Sequence, residues 1–537
     1  MGVSMGHHRK FAKLLCLWIV CALSLAGAGA SNLPLPSTAA TESINVRDLR
    51  KHLEFLASDE LGGRYTISPS NRIAARYLAT QLESYGYRGA AHDGSFFQKV
   101  PLGYRSVDGT KSLLTLTAEG TTQEFKYYDS FASEVPINTD VQGELVFAGY
   151  GISSPARHYD DYKNIDVRGK IVVLVNGEPE ALKSTKLKPD EVGQSAAISH
   201  GAVAMIRLLP AQFTAQWEQA KYFFHQQNLG LPPLPGPGGK LLPVVSPSPQ
   251  LVGVLARVMG KDASYLISPA GKAIESMALK ATASIKVAVE VKDAPPAQNV
   301  AGILEGSDPK LKDEFVVFSA HYDHLKTSDS GEVFNGADDD GSGTVGVLDI
   351  AQAFAIGPRP RRSILIIFHT GEELGLFGSE YNADYDPVVP MEKLVADFNI
   401  DMIGRSRPEG DNDPRDRYLT DKNSIYIIGS DKLSTELHRL NEETNSETAK
   451  MRFDYTYNDE RHPERFYYRS DHYNYAKHGV PIIFYFTGVH RDYHQTTDDV
   501  DKIDFEKMER IDRMIFAVGY RVANLDHRVV VDKHPVN

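Results

Sequence analysis

The chain has 537 residues, 42% of them apolar, and a formal net charge of −12, so it is long enough to bury a sizeable core without covalent staples. The acidic balance argues against nucleic acid or an anionic membrane surface as partner, because both select basic proteins. Cysteine appears only at Cys16 and Cys21, which excludes a disulfide framework or a thiolate metal site in the remainder.

The first predicted element is a leader. His7, His8, Arg9, Lys10 and Lys13 precede an apolar stretch at 14–25, and small residues end in Ala28-Gly29-Ala30 before Ser31. That is the pattern of a cleaved signal peptide over 1–30, with an apolar core too short to span a bilayer. The expectation is a periplasmic or secreted protein with no stable membrane partner after cleavage. Residues 31–42 are polar and small, and read as an unstructured start of the mature chain.

Residues 71–87 place Ile73, Ala74, Tyr77, Leu78 and Leu82 at helical spacing, inside what reads as the N-terminal part of a catalytic domain at 31–129. Strand and turn signals follow at 143–150, 159–165 and 169–175, then a run of small residues at 195–207. The segment 230–248 is too rich in Pro and Gly for a core element and reads as a semi-extended loop. These features define a β-rich insert at 130–290.

From 291 to 537 the pattern changes. Short, continuously apolar runs at 315–320, 363–369, 397–400 and 480–486 suit strands buried on both faces of a mainly parallel sheet. Helical patterns such as 344–355 alternate with them, and 505–525 reads as one closing helix, which together predict an α/β layer structure. In such sheets ligands gather beyond the carboxyl ends of the strands. His321, Glu373, Asp401 and His494 each follow one of these runs, and Asp339 sits in a Gly/Asp-rich loop. Two divalent cations in one cleft need about five protein ligands, one of them shared, and a separate general base; Glu372, beside Glu373, supplies the last. Singly, each residue is an ordinary loop, turn or helix-start residue. All five in order, four of them beyond strands, point to metal chemistry.

Five motifs carry a resemblance: His321-Tyr-Asp323, Gly336-Ala-Asp-Asp-Asp-Gly-Ser-Gly343, Gly371-Glu-Glu-Leu-Gly375, Asn399-Ile-Asp-Met402 and Tyr493-His-Gln-Thr-Thr-Asp498. They resemble the motifs of secreted dizinc aminopeptidases, in the zinc-dependent exopeptidase superfamily, over residues 45–105 and 295–525. The resemblance implies a three-layer, phosphorylase/hydrolase-like catalytic domain, and the insert resembles the protease-associated domain of larger members. It implies that Asp339 bridges two metals, with His321 and Asp401 on one and Glu373 and His494 on the other. Two Zn2+ per chain are expected, with Mn2+ or Co2+ also compatible with imidazole and carboxylate donors. Glu372 would be the general base, Asp323 the partner of the His321 imidazole, Tyr493 a donor to the oxyanion and Arg469 a substrate-binding residue. The Asp339–Asp340 peptide is often cis in relatives.

The implied activity is removal of N-terminal residues from peptides. A carboxypeptidase or folate-hydrolase activity would use the same metals with a basic pocket, for which Arg405, Arg407 and Arg469 are candidates. Glutaminyl cyclases of this superfamily carry tryptophan before the final histidine, where this chain has Tyr493. Binding modules of the transferrin-receptor kind lose metal ligands, and none is lost here. Side-chain preference, oligomeric state and the role of the insert are open at this level.

Overall fold

The computed structural model describes residues 33–533 apart from 183–186, 188, 220, 222–227, 236–240, 268–273 and 460–461. The leader lies outside the described residues, as does part of the Pro/Gly-rich segment. Among the described residues, no helix is long and apolar enough to cross a membrane.

One region of the chain is built on a nine-stranded sheet. In chain order its strands are β1 (Arg88–Gly89), β2 (Phe97–Val100), β3 (Ala297–Leu304), β4 (Phe315–His321), β5 (Ser363–His369), β6 (Leu394–Ile400), β7 (Ser424–Ile428), β8 (Arg452–Asp454) and β9 (Ile482–Phe486). Their spatial order is β1-β3-β5-β4-β6-β9-β7-β8, with β2 also pairing to β3. The four central strands, β5, β4, β6 and β9, run parallel. Antiparallel pairings flank them on both sides, so the sheet is mixed and its parallel part is the centre.

Every residue of β4, β5 and β6 is buried, which explains why these strands read as unbroken apolar runs rather than alternating ones. The alternation survives as a choice of face. Val316, Phe318, Ile364, Ile366 and Phe368 join one core, and Phe315, Val317, Leu365 and Ile367 join the other. The first core is closed by helices α1 (Val46–Leu56), α2 (Pro69–Ser84), α3 (Gly343–Ile356), α4 (Thr435–Glu447) and α5 (Phe505–Ala523). Helix α3 is apolar almost all round and buried over nearly its whole length, as befits a helix clamped between the sheet and other helices. The result is a three-layer α/β unit.

A second, eight-stranded sheet occupies the middle of the chain. Its strands run from Leu113–Ala118 to Met277–Val287, and the first of them lie upstream of residue 130, the expected start of the insert. The early strands form a hairpin at Gly120, which has φ +75°. The two regions meet in a three-stranded neck: Gly103–Val107 pairs with Val289–Asp293 on one side and Asn228–Gly230 on the other. Leu229, just before the Pro/Gly-rich segment, and Leu231, at its start, pack with Val100, Leu102, Ala297, Phe377 and Tyr381. The hydroxyl of Tyr385 donates to the carbonyl of Pro232 at 2.6 Å. This part of the segment is therefore docked on the residues that follow Glu372 and Glu373.

Candidate metal centre

The parallel centre of the sheet delivers its loops to one edge. His321 is the last residue of β4, Asp401 directly follows β6, Glu372 and Glu373 follow β5, and His494 lies on the loop after β9. Asp339 arrives on the turn Ala337–Ser342 that leads into α3.

Three consecutive buried aspartates divide the work of that turn. Asp340 accepts the amides of His321 at 3.2 Å, Gly343 at 2.9 Å and Met402 at 3.0 Å. Asp338 accepts the amide of Gly404 at 2.6 Å and lies 3.1 Å from Nε2 of His490. The outer two thus tie the β4, β6 and β9 loops together. Asp498 fixes the turn from outside, accepting the amides of Asp338 and Asp339 at 2.9 and 3.1 Å. The peptide between Asp339 and Asp340 is cis. Only the middle carboxylate remains free to face the cleft.

Asp339 stands between two clusters. Its Oδ1 is 3.3 Å from His321 Nε2, which in turn is 3.7 Å from Oδ1 of Asp401. Its Oδ2 is 3.1 Å from His494 Nε2, which is 3.0 Å from Oε2 of Glu373. The other oxygens of the outer carboxylates are taken: Ser470 donates to Asp401 Oδ2 at 2.7 Å, and His324 Nδ1 lies 2.6 Å from Glu373 Oε1. Asp339 Oδ2 and His494 Nε2 are buried at contact distance without hydrogen-bond geometry, as lone pairs aimed at a common point would be. His321–Asp339–Asp401 and His324–Asp339–Glu373 are sets of donor atoms compact enough for a cation. The donor chemistry, imidazole and carboxylate with one carboxylate shared, fits a pair of zinc ions.

Electrostatics agree with that fit. Burial opposes charge on the His494 imidazole, but the adjoining carboxylates Asp339 and Glu373 outweigh it and push its pKa up to about 10. Burial would raise the Asp339 carboxyl, yet His321, His494 and His324 hold it well below the carboxylate range. Protons on these imidazoles are what divalent cations would displace. Beneath the cleft the fully buried Arg64 donates to four carbonyls: Tyr322 at 2.9 Å, Leu56 at 2.7 Å, Asn335 at 2.6 Å and Gly336 at 3.0 Å. It braces both ligand loops and adds positive charge beneath an acidic site.

Glu372 reaches the same cleft, its Oε2 3.8 Å from His321 Nε2. Asp323 does two jobs. Its carbonyl accepts from His321 Nδ1 at 3.1 Å, while its carboxylate, 3.7 Å from that nitrogen, accepts the Glu372 amide at 3.2 Å and the Thr66 hydroxyl at 2.7 Å. Tyr493 stacks on His494 with ring centroids 3.9 Å apart. Arg469 lies over the Phe466 ring and pairs with Glu464 at 3.2 Å. Both line the small pocket over the imidazole–carboxylate cluster, walled otherwise by Met402, Phe466, Phe484, Phe486 and Val489. A chamber of about 600 Å³ opens beside it and shares Phe466, Arg469, Val489 and Tyr493 as a wall.

The other two arginines do not join Arg469. Arg405 is committed to Asp492 at 2.6 Å and approaches Asp498 at 3.5 Å, and Arg407 donates to the carbonyl of Asp411 at 2.8 Å. Sequence reasoning did not single out His324, Arg64 or Ser470. His324 had a signal, being the next histidine after His321 on a ligand loop.

Residues 299–519, which contain every ligand candidate, match the model of Peptidase family M28. Over 110 residues the chain is 34% identical to the aminopeptidase YwaD of Bacillus subtilis, covering 20% of this chain and 22% of that protein. Over 234 residues it is 25% identical to a probable leucine aminopeptidase of Arthroderma otae, covering 42% of this chain and 57% of the relative. The chain thus spans between about a fifth and three fifths of the length of these relatives. The solved aminopeptidase from Aneurinibacillus sp. strain AM-1 aligns with 92% of this chain and 97% of its own, at 20% identity and a TM-score of 0.44. The M28 span begins in β3 and ends in α5, so it takes in the parallel centre of the sheet and leaves out the second sheet.

Proposed function

We propose that the protein is a periplasmic or secreted zinc-dependent aminopeptidase that hydrolyses the N-terminal residue from peptides. The observation that carries this reading is Asp339, whose two oxygens face two separate imidazole–carboxylate pairs with Glu372 alongside. His321 and Asp401 would hold one ion, Glu373 and His494 the other, and Asp339 both. Two such ions, when bound, supply activation of water and polarisation of the scissile carbonyl. The names of the relatives, aminopeptidase and probable leucine aminopeptidase, support the same substrate class.

The chain's own residues then have distinct tasks. Glu372, which is not among the proposed ligands, takes the proton from the attacking water and returns it to the departing amine. Asp323 holds the Glu372 backbone and the His321 ring in one frame. Tyr493, which lines the pocket, donates its hydroxyl to the developing oxyanion. Met402, Phe466, Phe484, Phe486 and Val489 offer an apolar wall to the side chain being removed, and Arg469 orients the peptide from the rim. A carboxypeptidase reading loses support because Arg405 and Arg407 are turned to other partners. The placement outside the cytoplasm rests on the sequence of residues 1–30 alone.

A panel of aminoacyl-nitroanilides, each beside its N-acetylated form, tests the activity. Cleavage of the free-amine substrates alone is the expected result. Cleavage confined to acylated peptides would defeat the aminopeptidase reading.

A further inference from the structure

His324 is buried without exposure, three residues beyond His321 on the same loop. Its Nδ1 lies 2.6 Å from Oε1 of Glu373 and 3.8 Å from Oδ2 of Asp339. Its ring meets that of His494 edge-on, with centroids 5.8 Å apart. Space for the ring exists because residue 336 is glycine: a Cβ there would stand 2.5 Å from the His324 ring. A third imidazole in a site whose ligand set is complete without it has either to bind metal or to serve a ligand.

Tautomer accounting separates these two roles. A histidine that binds metal through one ring nitrogen carries its proton on the other, which then donates to a carbonyl, carboxylate or water. His321 follows this rule, with Nδ1 against the Asp323 carbonyl at 3.1 Å. For His324 to ligate through Nδ1, its Nε2 would carry the proton, yet Nε2 is buried with no hydrogen-bond partner. A buried donor without an acceptor is costly. With the proton on Nδ1 the cost is smaller: Nδ1–H donates to Glu373 Oε1, and Nε2 is left as an acceptor, which is tolerated without a partner more readily than a donor.

We propose that His324 is a positioning residue for the second metal and not one of its ligands. By holding Oε1 of Glu373 it turns Oε2 toward His494 Nε2, 3.0 Å away, and toward the free oxygen of Asp339. Glu373 thereby becomes a one-oxygen ligand with a fixed orientation. The inference rests on the two-metal reading above.

Zinc titration against a chromophoric chelator, on the full chain stripped of metal, tests it with the wild type, His324→Ala, His324→Asn and His324→Gln. Asparagine places an amide N–H near the position of Nδ1, whereas glutamine places one near Nε2. The wild type is expected to take two ions. His324→Ala and His324→Gln should bind the first as the wild type does and the second about 10- to 100-fold more weakly, and His324→Asn should recover most of that loss. Equal losses in His324→Asn and His324→Gln would make His324 a ligand or a packing residue and overturn the proposal, and this comparison stands if His324→Ala fails to fold. Two tightly bound ions in His324→Ala would overturn the proposal alone. Fewer than two ions in the wild type would overturn it together with the two-metal reading.

Discussion

Ser470 donates its hydroxyl to Oδ2 of Asp401 at 2.7 Å and so leaves Oδ1 alone to face the cluster. A carboxylate held this way meets a cation with one defined lone pair. Replacing Ser470 by Ala should weaken the ion shared by His321 and Asp401 by roughly 10- to 100-fold, the usual cost of losing a partner behind a ligand. Chelator competition would show it, with the other ion retained.

Glu372→Gln should separate binding from chemistry. With no ligand removed, the variant is expected to hold the same metal as the wild type. Its kcat should fall by about 10² to 10⁴, the range for loss of a general base, while KM changes little. Metal analysis and steady-state kinetics on one preparation decide the matter; a variant that loses zinc in step with activity would make Glu372 a ligand.

Gly336 has φ +56°, and a Cβ there would stand 2.3 Å from the Asp339 carbonyl oxygen as well as against the His324 ring. Gly336→Ala should cost about 1–3 kcal/mol from backbone strain alone and shift the turn that carries Asp339. Lower thermal stability of the metal-free protein, with reduced zinc content, is the expected pair of results.

Lys507 is 1% exposed and donates to the Arg405 carbonyl and the Thr420 hydroxyl, each at 2.9 Å. Burial lowers its pKa from 10.5 to about 7, against weaker opposing pulls from Asp504 and Asp338. The folded chain therefore binds fewer protons than the unfolded chain between pH 7 and 10.5, and stability rises with pH across that window. Below pH 7 the full penalty is present, roughly 5 kcal/mol at 1.36 kcal/mol per unit. Urea midpoints at pH 7 and pH 9 should diverge in the wild type and converge in Lys507→Met. Equal pH slopes in the two proteins would refute it.

Arg64 links α1, the His321 loop and the Asp339 turn through the hydrogen bonds of one buried guanidinium. Its removal in Arg64→Met would leave the carbonyls of Tyr322, Leu56 and Asn335 without that donor, and Gly336 with the Gly341 amide alone, at a cost of about 1–3 kcal/mol for each group left unsatisfied. A drop in thermal midpoint well beyond that of a surface Arg→Met control checks it.

The strands and their metal-facing residues were legible because burial on both faces writes itself as unbroken apolar runs, and the carboxyl end of each run marks where a ligand can stand. The outermost strands were not, since β1 and β8 have 2 and 3 residues, too short for any period. Arg64 was invisible for a different reason. Three of its four acceptors lie 258 to 272 residues away, and nothing local distinguishes a buried arginine from a surface one. Ser470 and His324 act on a ligand's second oxygen, a relation that exists only after the loops converge. Asp338 and Asp340 were hidden in plain view: a run of three aspartates reads as a solvated turn, whereas here the outer two bind backbone amides.

The three-stranded neck changes what the middle of the chain is. Its edge strand, Asn228–Gly230, comes from deep within the second sheet's own sequence, yet it pairs beside the entry strand and leans on Phe377 and Tyr381. Cutting the chain at the two ends of the insertion would therefore not free a module. It would strip an apolar lining from the segment directly behind Glu372 and Glu373. The insertion is therefore anchored at a third point, on the residues that follow Glu372 and Glu373, and not only where the chain enters and leaves it.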